Sequence, residues 1–284
     1  ERNEIYFNWI EGAAFHELDL IGPDGQDPAL AREDSDVVGN VIVKKSEWQL
    51  ARIGGDGTGT TLGRYRFVNN TFVMADVSKI AIRLQYSLES LELHNNVFYR
   101  AGGGAITLIK HSDPEGPTPS IFGSNNWIQD GVSEIPDTIT ASFRGTDPGF
   151  SNAIAFDLRP SQSSPLIDKS SESTSLPGAH QFSNPLVGPL YLPPARRLLP
   201  PSSAVLRPVN GKVDLGAWEL GSPLDPGPAG AAGNSSGASG ATVAGSPSDD
   251  SCCLRAGARP TGLSASFLVV VLGGVVLALR KTRA

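Results

Sequence analysis

An asparagine recurs along the first half of this chain in one frame, apolar-x-x-Asn-x-[Ile/Phe], and that repeat restricts the fold more than any other feature. The frame reads Ile5-x-x-Asn8-x-Ile10, Val37-x-x-Asn40-x-Ile42, Phe67-x-x-Asn70-x-Phe72, Leu93-x-x-Asn96-x-Phe98 and, more weakly, Gly123-x-x-Asn126-x-Ile128. Successive asparagines are 32, 30, 26 and 30 residues apart, and three are doubled as Asn69-Asn70, Asn95-Asn96 and Asn125-Asn126. A second register of alternating apolar residues follows at Leu18 and Leu20, Ile80 and Ile82, and Ile106 and Leu108; in the second unit Leu50 and Arg52 occupy these slots, which implies a shift of one residue. Alternation with Ile, Val and Phe between Gly and Asn clusters predicts short strands. Strands that recur at this interval stack most economically on their equivalents, in parallel and about 4.8 Å apart. The expected fold is therefore all-β, a parallel β-helix, with a chance frame in an ordinary β-sandwich as the alternative. The frame asparagine is expected to take the left-handed turn and to bond its amide to the next asparagine, while the Ile or Phe two residues on points into a continuous core.

Composition bounds the rest. The 284 residues and 39% hydrophobic content suffice for a packed core. A formal net charge of -6 provides no basic footprint for nucleic acid. The two cysteines, Cys252 and Cys253, are adjacent and cannot staple the fold to itself. From Gly221 to Asp250 the chain is mostly Gly, Ala, Ser and Pro, which buries too little to offset its ordering entropy and reads as a disordered linker. The folded part is thus expected in residues 1–220. Glu1 to Asn8 already reads as a turn of the helix, with neither a cap nor an export signal before it, so the β-helix is expected to be N-terminally incomplete.

On these repeats, residues 1 to about 170 resemble right-handed parallel β-helix repeat proteins, the pectate-lyase-like architecture of polysaccharide enzymes and their non-catalytic relatives. Two later stretches are similar to the closing segments of such bacterial surface proteins: Asp147 to Asp168, and Val213-Asp214-Leu215-Gly216-Ala217-Trp218-Glu219. The Pro-rich run from Leu192 to Pro201 departs from a simple turn of the helix and is expected to wrap the outside.

The densest polar cluster is His16-Glu17-Leu18-Asp19-Leu20, continuing to Asp24. With Leu18 and Leu20 inward, Glu17 and Asp19 are expected to share the outer face, about 6 to 7 Å apart. Together with Asp24 they are the candidate calcium ligands, and with His16, Lys44, Trp9 and Arg83 the candidate ligand contacts. Lyases of the resembled architecture pair a cation with a Lys, Arg or His base, which implies Glu17, Asp19, Arg52 and Lys79 as a catalytic set. The plainer reading makes all of these solvated outer-face residues. Gly54 to Gly59 lacks the Lys-Ser/Thr of a phosphate loop and reads as a turn, although Asp56 could still help bind a metal. His94 and His111 stand alone in sequence, and the common hydrolase and zinc-protease signatures are absent. Trp9, Trp48, Tyr86 and Trp127 are the aromatics available to stack on sugar rings, Trp9 and Trp127 in equivalent outward slots.

Leu263 to Leu279 carries no charge and is followed by Arg280, Lys281 and Arg283, the pattern of one short transmembrane helix with its basic end in the cytoplasm. Residues 251–284, with Cys252 and Cys253 ahead of that span, resemble the MYXO-CTERM sorting domain of myxobacterial surface proteins. The resemblance implies export, a sorting protease that cleaves near a cysteine, and display at the outer membrane of a bacterial envelope. The expected function is binding of polysaccharide or extracellular matrix; a lyase or glycoside hydrolase acting on uronate glycans, and a structural spacer without ligand, are the alternatives.

Overall fold

A computed structural model of the chain describes residues 2–22, 34–57, 62–75, 77–112, 118–172 and 187–223. These lie in one compact unit, Glu1–Gly233. Asp24, both cysteines and the apolar run 263–279 lie outside the described residues. Among the described residues no helix is long and apolar enough to cross a membrane.

The strands come in triplets. The first turn holds β1 (Arg2–Tyr6), β2 (Trp9–Glu11) and β3 (Leu18–Gly22), the second β4 (Asp34–Val38), β5 (Val41–Lys44) and β6 (Ala51–Gly55). The third holds β7 (Arg64–Val68), β8 (Thr71–Met74) and β9 (Ile80–Leu84), and the fourth β10 (Ser90–His94), β11 (Val97–Arg100) and β12 (Ile106–His111). Shorter strands follow: β13 (Ser120–Ser124), β14 (Trp127–Gln129), β15 (Val132–Ser133), β16 (Ile139–Thr140) and β17 (Phe143–Gly145), then the antiparallel pair β18 (Phe150–Asn152) and β19 (Asp157–Pro160). Equivalent strands pair in parallel to form three sheets, β1-β4-β7-β10-β13-β16, β2-β5-β8-β11-β14-β17 and β3-β6-β9-β12-β15. The chain is a parallel β-solenoid.

The repeat frame places the core. Ile5, Val37, Phe67, Leu93 and Gly123 are register partners in the first sheet, and Ile10, Ile42, Phe72, Phe98 and Ile128 in the second. Phe72 and Phe98 stack with ring centroids 4.7 Å apart. In the third sheet the columns run Leu18–Ala51–Ile82–Ile109 and Leu20–Ile53–Leu84. The one-residue shift expected in the second unit is present, since Ala51 and Ile53 are buried and Arg52 points outward. The third unit slips further, and Ile80, expected inward, is half-buried.

The asparagines form a continuous amide ladder inside the corner between the first and second sheets. Each Nδ2 donates to the Oδ1 of the next: Asn8 to Asn40 at 3.1 Å, then Asn40 to Asn70, Asn70 to Asn96 and Asn96 to Asn126 at 3.0 Å. The left-handed backbone belongs to the residue before, and here the structure corrects the expectation. Phe7, Gly39, Asn69, Asn95 and Asn125 have φ of 57°, 65°, 52°, 57° and 55°. One asparagine cannot do both jobs, because the residue whose amide turns inward to meet the ladder has left the turn conformation. Doubling the asparagine divides the labour: the second builds the ladder and the first turns the chain at low steric cost.

The first asparagine of each pair faces outward and ties down the later part of the chain. Asn69 Nδ2 donates to Ser170 Oγ and Asp214 O, Asn95 Oδ1 accepts from Ser171 N at 2.8 Å, and Asn125 Nδ2 donates to Lys169 O. The outward face of the second sheet is apolar and is covered by this later segment. Val41, Val43 and Val73 pack with Leu158, Leu192, Ala217 and Trp218, and Val97 and Trp127 pack with Leu166 and Leu215. Leu192 thus places the start of the Pro-rich run on the outside of the solenoid. Gly216 permits the close approach: with φ +83°, a Cβ there would meet Thr71 Oγ1 at 2.6 Å and Val97 Cγ2 at 3.0 Å.

Candidate functional site

The sequence-predicted cluster sits where the turns between β2 and β3 and between β5 and β6 lie on adjacent rungs. Lys44, at the end of β5, is fully buried. Its ammonium donates to Ala13 O at 3.1 Å and to Ser46 Oγ, and lies 3.5 Å from Glu17 Oε1. Glu17 Oε2 accepts from Ala13 N at 3.1 Å. A buried pair of this kind is tolerable because its remaining donors and acceptors are satisfied locally, and it fixes the loop over residues 13–17.

Asp19 and Arg52 are direct register partners and form a two-pronged pair, Nε to Oδ1 at 2.8 Å and Nη2 to Oδ2 at 2.6 Å, with side chains 42% and 35% exposed. The bond to Asp19 raises the Arg52 pKa further above its ordinary value. The two carboxylates expected on one exposed face are therefore divided: Glu17 is buried against Lys44, and Asp19 is half exposed against Arg52. Among the described residues no group of three or more His, Cys, Asp or Glu side chains is placed to hold a metal.

Above this layer lies an exposed aromatic platform. Phe15 and Trp48 are 61% and 48% exposed, with ring centroids 5.4 Å apart at 63°. His16 meets the Trp48 ring edge-on at 6.1 Å, and its Nδ1 lies 3.4 Å from Gln49 O. Burial lowers the His16 pKa below its ordinary value, the contact with Gln49 O opposes this, and the Arg52 charge lowers it again.

The remaining predicted residues scatter. Arg83 is the register partner of Arg52 and donates to Ser112 Oγ at 2.6 Å, while Lys79 is exposed in the turn before β9, two turns of the solenoid from Asp19. Asp56 is exposed. Trp9 and Trp127 do point away from the inner core, but the later segment covers them: Trp9 is half-buried beside the second cluster and Trp127 is fully buried. Tyr86 is half-buried, its ring against Gly57. Trp48 alone of the four predicted aromatics presents an exposed ring.

Sequence reasoning missed a charged face on the outside of the first sheet that is buried from the second turn onward. One outward column runs Arg2, Asp34, Arg64, Ser90 and the next Glu4, Asp36, Arg66, Glu92, with Val68 and His94 beside it. Arg66 grips Asp36 through two contacts of 2.6 Å, and Arg64 pairs with Asp34. Glu92 is buried with neither carboxylate oxygen hydrogen-bonded, and it lies 3.6 Å from His94 Nε2. His94, single in the sequence, also lies 3.1 Å from Ser124 Oγ on the next rung. The alternation Ser90-Leu-Glu-Leu-His94 was the available signal, but nothing in it says that the outer face would be buried.

Comparison with known proteins adds nothing to this geometry. The chain has no significant match among protein-family models, curated proteins or solved structures.

Proposed function

We propose that the chain is a right-handed β-solenoid displayed on a bacterial cell surface, where it binds polysaccharide or extracellular matrix through the Phe15–Trp48–His16 platform and the Asp19–Arg52 pair. The observation that carries this reading is the platform itself: two large aromatic rings left exposed and edge-to-face while Trp9, Trp127 and Trp218 are covered. Exposed rings offer apolar faces to the C–H side of a pyranose, and the neighbouring carboxylate and guanidinium bond its hydroxyls. The right hand follows the strong preference of parallel crossover connections. Surface display rests on the MYXO-CTERM-like order of linker, cysteine pair, apolar run 263–279 and basic end. The lyase alternative requires a base and a cation converging on one uronate, whereas Arg52 is engaged by Asp19 and Glu17 by Lys44.

The test is retention of the full chain in gels cast with a panel of neutral and acidic polysaccharides. Phe15→Ala with Trp48→Ala should weaken binding of the retained glycan by roughly tenfold or more, the loss expected for removing stacking rings. Unchanged retention in that variant would sink the platform as the binding site.

A further inference from the structure

On the side of the second sheet, Lys45 Nζ and Arg196 Cζ both lie over the Phe156 ring, 4.9 and 4.7 Å from its centroid. They share one carboxylate, Glu11, which accepts from Arg196 Nη2 at 2.9 Å and lies 3.5 Å from Lys45. Two cations against one anion leave the cluster positive. Two residues from Phe156, Ile154 is 94% exposed at the tip of its turn; two residues from Arg196, Leu198 is 98% exposed. Arg196 helps to wall two hollows of about 240 and 340 Å³, one reaching Leu198 and the other Phe156. The described chain also leaves from here: Arg159, paired with Asp157 beside Phe156, donates to Ser222 O at 2.7 Å.

We propose that this face rests on an anionic lipid surface, with Ile154 and Leu198 entering the headgroup layer while Lys45 and Arg196 meet lipid phosphates. A protein partner would call for a contiguous packed patch, because isolated side chains on raised turns bury little against a rigid surface. A fluid headgroup layer accepts such tips singly and rewards adjacent cations. The sequence beyond Pro223 agrees, since it carries the charge-free run 263–279 expected to enter a membrane. The inference is independent of the glycan reading, which uses other residues.

The test places an indole at the tip. In the full chain carrying L198W, emission is compared with that of the parent chain on vesicles of brominated phosphatidylcholine, with and without phosphatidylglycerol. The indole at position 198 should be quenched on the anionic vesicles and much less on phosphatidylcholine alone. Adding Arg196→Gln should reduce that docking roughly fivefold, the worth of one cation near an anionic surface, and Ile154→Ser should reduce it further. Both tips are almost fully exposed, so thermal unfolding by circular dichroism should be unchanged by L198W and Ile154→Ser. Absence of quenching at position 198, or equal quenching on both vesicle types, overturns the proposal even where the C-terminal run holds the chain on the membrane, because the readout is local to this face.

Discussion

Substituting Asn70 tests whether the amide ladder holds the solenoid together. Asn70 is fully buried at the middle of the ladder. Its Oδ1 accepts from Asn40 N and Asn40 Nδ2, each at 3.0 Å, and its Nδ2 donates to Val37 O at 2.7 Å and Asn96 Oδ1 at 3.0 Å. Asn70→Ala leaves Asn40 N without its acceptor and Val37 O without this donor, whereas Asn40 Nδ2 keeps Ile5 O and Asn96 Oδ1 keeps Asn70 N. Two orphaned buried groups at about 1 to 3 kcal/mol each give about 2 to 6 kcal/mol. That is a large share of the roughly 5 to 15 kcal/mol that holds a typical domain folded. Asn8 is exposed and can trade its amide contacts for water, so Asn8→Ala in this chain should cost no more than about 1 kcal/mol. Asn70→Asp should cost more than Asn70→Ala, because it turns an oxygen and a buried charge toward two acceptors. Guanidinium unfolding of the three variants, followed by far-ultraviolet circular dichroism, measures the order. If Asn70→Ala falls within experimental error of Asn8→Ala, or Asn70→Asp proves the milder change, the ladder is not what stabilises this corner.

Two further perturbations probe the later segment. Arg207 is buried and donates to Glu219 Oε2 at 2.6 Å and to the carbonyls of Asp214, Gly216 and Trp218; Arg207→Met should cost about 3 to 5 kcal/mol by leaving Glu219 uncompensated. Amide exchange should accelerate over residues 213–220 before it does in β7 or β8, and uniform acceleration would contradict a local clamp. The hydrogen bond from Arg159 lowers the pKa of Asp157, burial opposes this, and the Arg159 charge lowers it again. A lowered carboxylate contributes stability above its unfolded pKa and loses it as pH falls through the folded one. Asp157→Asn should therefore destabilise by up to about 1 kcal/mol at pH 7, and thermal melts should show the difference from the parent shrinking toward zero as the solution is acidified below the ordinary carboxylate range.

The stacked strands were legible in the sequence because a solenoid repeats its environment: every turn must refill the same inward slots, so Ile10, Ile42, Phe72, Phe98 and Ile128 recur in one frame. The asparagine frame was legible for the same reason, since a ladder needs its amide at the same place on each rung. The division of labour within Asn69-Asn70 was not, because sequence spacing cannot say which of two adjacent residues turns the backbone and which turns inward. Nor were the fates of the polar residues. Glu17 and Asp19, two apart, looked equivalent, yet the buried end of Lys44 drew Glu17 inward while the register partner Arg52 held Asp19 at the surface. Trp9 and Trp127 were correctly placed outside the inner core but were covered by Leu192, Leu215 and Trp218, which lie far along the chain. Local period decides which face of a strand a residue occupies; whether an outward face meets water depends on segments far along the chain, and only their packing decides it.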